Sequence, residues 1–75
     1  MRLGSEVLAA DLYGILDVSE RANREEIRRA WRLAAMRSHP DLAGADREQA
    51  EQLMARINVA ASVLLDPERR AAYDR

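Results

Sequence analysis

The one histidine of this 75-residue chain sits in the string His39-Pro40-Asp41, one residue from a carboxylate. Proline fixes the backbone between the two side chains, so an imidazole and a carboxylate point in defined directions from one corner. Arg28 and Arg32 precede His39 at helical spacing, which puts the three on a single stripe. That combination suits a surface that recognises a charged partner. Each residue also has an ordinary role: a histidine interacts favourably with a helix C-terminus, proline stops a helix, and aspartate opens a turn. Hydrolysis by His39 and Asp41 is a poor alternative. No positioned serine or metal cluster accompanies them, cysteine is absent, and so short a chain offers little pocket.

The corner must be held by helices. Asn23 and Glu26 have capping-box spacing and open a strong helix that Pro40 ends. Ile27, Ala30, Trp31, Ala34, Ala35 and Ser38 share one face of it, while Arg28, Arg29, Arg32, Met36 and His39 share the other. Leu42 to Ala45 form a turn. Asp46 is then expected to cap a second long helix with the apolar set Ala50, Leu53, Met54, Ile57, Ala60, Ala61 and Leu64. So short a connection makes the two helices antiparallel neighbours, and their alanines permit close approach. A short helix from Leu12 to Leu16, capped by Asp11 and weakened by Gly14, precedes them. Another short helix follows Asp66-Pro67 and reaches about Tyr73. No strands and no repeats are expected, and the fold class is all-α.

Length allows one small core and no second fold. Hydrophobic residues are 48% and aromatics 4% with no phenylalanine, so that core is built from Ala, Leu, Ile, Val and Met. With no cysteine there is no disulfide or thiolate metal site, and a reducing, cytoplasmic setting is expected. Twelve basic residues, all arginine, oppose thirteen acidic ones for a net charge of -1. Whole-molecule attraction to nucleic acid or anionic membrane is therefore not expected, although five arginines between Arg24 and Arg37 keep a nucleic-acid-binding module as the main rival. No apolar run approaches a membrane span. Met1 to Ala10 read as an N-terminal extension or the start of the first helix, and residues 11–75 as the domain.

From Asp11 to Arg75 the sequence resembles the J-domain of the DnaJ co-chaperone family. Asp11-Leu12-Tyr13-Gly14-Ile15-Leu16-Asp17-Val18-Ser19 is similar to the family opening, and Glu26-Ile27-Arg28-Arg29-Ala30-Trp31-Arg32 to its second helix. Ile57-Asn58, Val63-Leu64 and the run from Asp66 to Arg75 resemble its third and fourth helices, and the family places His-Pro-Asp between the two long antiparallel ones. The resemblance implies a helical hairpin with a short helix at each end. It also implies a function: binding the ATP state of a DnaK-class heat-shock chaperone and stimulating that partner's ATPase, without being an enzyme itself.

By the same resemblance His39, Pro40 and Asp41 are the stimulating motif, with Asp41 engaging an arginine of the chaperone. Arg28, Arg29, Trp31 and Arg32 form the face that docks on its acidic nucleotide-binding domain. Periodicity places Trp31 beside the core, whereas the family's aromatic lies partly at the contact edge. No cofactor and no metal are implied, and a monomer is expected. Leu33, Leu42 and Ala55 stand where basic residues are common in the family, which weakens the positive field. Ala34, Ser38, Met54 and Ala61 replace larger residues, and Asp17 replaces a usual glycine, so a reduced core is expected. A J-like tether or self-associating hairpin would keep these features without accelerating hydrolysis.

Overall fold

The computed structural model describes residues 11–39 and 46–75. Four helices and no strand occur among them: α1 (Leu12–Leu16), α2 (Arg24–Arg37), α3 (Arg47–Leu64) and α4 (Pro67–Asp74). The expected extension over Met1 to Ala10 and the turn over Leu42 to Ala45 lie outside the described residues.

The helix starts follow from local chemistry. Asn23 Oδ1 accepts from the Glu26 N–H at 2.8 Å, and Glu26 Oε1 accepts from the Asn23 N–H at 2.8 Å, completing the capping box that opens α2. These bonds satisfy donors that have no partner within the helix. Asp66 does the same for α4, accepting from the Glu68 N–H at 3.0 Å, with Pro67 at the first helical position. Asp46 corrects the expectation made for it. It occupies the N-cap position of α3, but its side chain makes no capping hydrogen bond, because its backbone lies outside the extended conformation that aims an N-cap side chain at the following N–H groups.

Gly14 lies under the side chain of its own N-cap. Asp11 Oδ1 accepts from the Gly14 N–H at 3.0 Å, and the carboxylate folds so closely over the helix that a β-carbon at Gly14 would meet Asp11 Oδ2 at 2.5 Å. At the other end of α1, Asp17 is left-handed, with φ 57° and ψ 50°, and its N–H donates to the carbonyls of Tyr13 and Gly14. The site is exposed and puts a negative charge at a helix C-terminus, against the helix dipole. Asp17→Gly is expected to remove both penalties and stabilise the domain by about 0.5–1 kcal/mol, raising the melting temperature by roughly 3–6 °C. A thermal scan that shows no rise would mean that the side chain of Asp17 compensates in some other way.

The two long helices run in opposite directions. Trp31 meets Asn58, while Arg37 lies with Gln49, Ala50 and Leu53 around one cleft, so later residues of α2 face earlier residues of α3. α1 packs on both, and α4 packs on α3. Leu12, Tyr13 and Leu16 of α1, Ala22, Ile27 and Ala34, and Ile57, Ala60 and Leu64 of α3 form one apolar cluster with no buried polar or charged residue. The buried residues of α3 all fall from Ile57 onward. Leu53, expected on that face, is 41% exposed because it borders the cleft toward the hairpin tip.

A polar clamp, unforeseen in the sequence, joins the first described helix to the last. Tyr13 donates its phenol O–H to Asp74 Oδ1 at 2.7 Å and accepts from Arg70 Nε at 3.0 Å. Arg70 also donates to the Glu20 carbonyl at 3.0 Å, and its guanidinium lies 5.5 Å from the centre of the Tyr13 ring. The Leu12 N–H, which has no partner within α1, donates to the Tyr73 hydroxyl at 3.0 Å. These bonds dock α4 against α1.

Burial raises the Tyr13 pKa above its ordinary 10.0, and the hydrogen bond to Asp74 adds to the rise, outweighing the lowering influence of Arg70. The folded state thus holds the phenol proton more tightly than the unfolded chain does. The contribution is fully present below the unfolded pKa and is lost as pH rises through the folded one. Urea unfolding measured from about pH 9 to about pH 11 should show stability falling at the alkaline end, with a shallower fall in Tyr13→Phe. Equal slopes would place the alkaline loss elsewhere.

Candidate functional site

Capping fixes the phase of α2, and phase decides what it shows. Ile27 and Ala34 are buried, Ala30, Ala35 and Ser38 are half-buried, and Arg28, Arg29, Arg32 and Met36 are exposed. The arginines of the predicted stripe are therefore presented outward on one helix, whereas His39, expected at helical spacing with them, lies beyond its end. α2 ends at Arg37, and Ser38 closes it by donating its N–H to the Ala34 carbonyl. His39 follows directly and is exposed. Pro40 and Asp41 lie outside the described residues, so their part in the motif remains the sequence's.

Arg28, Arg29 and Arg32 enter none of the ion pairs among the described residues, which join Arg47 to Glu51, Arg69 to Asp66 and Arg70 to Asp74. Glu25 and Glu26 are confined to the first turn, where they favour the helix dipole, and Glu26 is held in its cap.

Trp31 fits both of its readings. Its ring packs against the apolar cluster, yet the residue is only half-buried, and its indole N–H donates to Asn58 Oδ1 at 3.1 Å across the hairpin. It stands at the edge where the core meets the arginine face. Asn58 is a partner that sequence reasoning missed. The matching spacing in α3 is visible only once the register of the hairpin is known.

An open cleft of about 270 Å³ lies at the tip, lined by Arg37, Ser38, His39, Asp46, Gln49, Ala50 and Leu53. No group of three His, Cys, Asp or Glu side chains among the described residues is placed to hold a metal ion. No helix of the described chain is long and apolar enough to cross a membrane. What this end of the molecule offers is an exposed surface of arginines, a histidine and an aromatic edge.

The DnaJ domain family model matches residues 11–74. This chain belongs to the DnaJ domain family. Its J-domain is 45% identical over 65 residues to the chaperone protein DnaJ of Dichelobacter nodosus, covering 87% of this chain and 17% of that protein. It is 48% identical over 65 residues to the one from Gluconobacter oxydans, again covering 87% and 17%. Against the one from Rickettsia bellii it is 43% identical over 68 residues, covering 91% of this chain and 18% of that protein. The chain thus spans less than a fifth of these curated relatives. The all-helical architecture agrees with the J-domain fold.

Proposed function

We propose that this J-domain is a co-chaperone module that binds a DnaK-class chaperone in its ATP state and stimulates that partner's ATPase, assisting protein folding. The observation that carries the reading is the outward row of arginines on α2, which form no ion pair among the described residues, followed beyond the helix end by exposed His39, in a chain of the DnaJ domain family. Arg28, Arg29 and Arg32 steer and orient the encounter with an acidic surface, Trp31 lies at its edge, and His39, Pro40 and Asp41 act at the catalytic machinery of the partner. The hydrolytic groups belong to the chaperone. The domain works as a monomer without a cofactor and does not bind nucleic acid. The lack of cysteine accords with a cytoplasmic setting.

Stimulation needs differential binding. Equal affinity for all states of the chaperone would leave its rate unchanged, whereas each tenfold acceleration requires contacts about 1.4 kcal/mol stronger in the hydrolytic transition state than in the bound ground state. Single-turnover ATP hydrolysis by the chaperone of the same organism, with increasing concentrations of the domain, is the direct test. The expected result is a saturable acceleration. A folded domain that binds without accelerating would leave a tether, and the proposal would fall.

A further inference from the structure

Trp31 is the chain's one tryptophan, and both long helices hold it. Its ring, carried on α2, packs against the apolar cluster, and its indole N–H donates to Asn58 Oδ1 of α3 at 3.1 Å. Asn58 is exposed, so in the free domain water competes for this bond and it contributes little to folding. Its worth changes once the ring is covered. An indole nitrogen can only donate, and a donor that gives up water without gaining a partner weakens the interface that covers it. Here the domain supplies the partner itself, from the facing helix. The torsion that turns an indole is soft, so the bond to Asn58 also fixes which edge of the ring is turned toward α3.

We propose that Asn58 is a positioning residue for docking: it satisfies and aims the Trp31 indole, so that a DnaK-class chaperone covers this aromatic edge without stranding a polar group. The inference rests on the co-chaperone reading and adds to it a residue of α3 that acts only through Trp31. Asn58→Ala leaves the free domain folded, because water takes over the indole N–H there and alanine suits a helix interior. The penalty arises in the complex, where that water is expelled. Adding Trp31→Phe removes the donor, so nothing remains for Asn58 to satisfy. The effect of Asn58→Ala therefore disappears in that background, and the two substitutions are not additive.

The test is a double-mutant cycle: equilibrium binding of wild type, Asn58→Ala, Trp31→Phe and the double variant to the ATP-bound DnaK-class chaperone of the same organism. Melting temperatures are checked for all four, and tryptophan emission for the two that keep Trp31. Asn58→Ala is expected to weaken binding about five- to tenfold, and to shift the emission of the free domain to the red as the indole turns to water. With Trp31→Phe already present, it should change binding by less than about twofold. An Asn58→Ala domain with the emission of wild type, or one that binds within about twofold of it, overturns the proposal and leaves the co-chaperone reading standing. Equal weakening in both backgrounds means that Asn58 touches the partner directly, which also overturns it. So does an Asn58→Ala domain that melts far below wild type, since the bond would then be a folding contact. A wild-type domain that neither binds nor accelerates overturns both readings.

Discussion

His39→Gln is expected to remove the acceleration of ATP hydrolysis, lowering it at least about tenfold at saturating domain, in a variant that a thermal scan shows to be folded. His39 lies beyond the C-cap of α2, is exposed, and is not part of the apolar cluster. Glutamine keeps a polar side chain of similar reach but cannot become an imidazolium, and its amide presents donors and acceptor in a different geometry. Asp41→Asn should behave alike, since under the proposed function its carboxylate charge would engage an arginine of the partner. Arg28→Ala should differ in kind. It weakens the encounter, so more domain is needed to reach the same maximal rate, and the deficit shrinks as salt rises. If His39→Gln accelerates hydrolysis as wild type does, the corner is only a helix stop, and the stimulating role passes to the arginine face alone.

The contrast between these variants mirrors what could and could not be read from the sequence. Asn23 and Glu26 announce the start of α2 because a capping box is a local device, complete within four residues. Once the start is fixed, 3.6-residue periodicity tells which arginines face outward, and the structure agrees at Arg28, Arg29 and Arg32. Asp17 was legible only as a departure. Its left-handed backbone explains why glycine suits that position, and why the change concerns a turn and not the core. The clamp of Tyr13, Arg70, Tyr73 and Asp74 was not legible, because its bonds join residues 57 and 61 positions apart that no local pattern connects. The edge position of Trp31 needed the register that brings Asn58 beneath its indole. Leu53 was misplaced because helical phase says which side faces the neighbouring helix, whereas burial depends on how far along that helix the packing continues.

Ile57→Ala should produce the largest loss of stability, about 3–4 kcal/mol, with a fall of roughly 15 °C or more in melting temperature. Ile57 is 1% exposed and, among the described residues, is one of three large side chains that are fully buried, with Leu16 and Ile27. Among the described residues, four of the ten buried hydrophobic ones are alanines, namely Ala22, Ala34, Ala60 and Ala61. Alanines let the helices approach, but they have no length with which to fill a vacated space, so the cavity would remain largely open and its lining would lose dispersion contacts. A chain of 75 residues has roughly 4–11 kcal/mol in total, so such a loss removes from about a quarter to nearly all of its stability. Ile57→Val, which removes one methyl group, should lower stability by only about 1 kcal/mol. Neither substitution touches the outward face of α2. The activity lost in Ile57→Ala should therefore track the unfolded fraction and return on moderate cooling, whereas His39→Gln stays inactive at every temperature where it is folded. If Ile57→Ala melts within a few degrees of wild type, the core relaxes around alanine more freely than its packing implies. A fully folded Ile57→Ala domain that no longer stimulates would instead mean that α3 transmits the position of the hairpin tip to the partner.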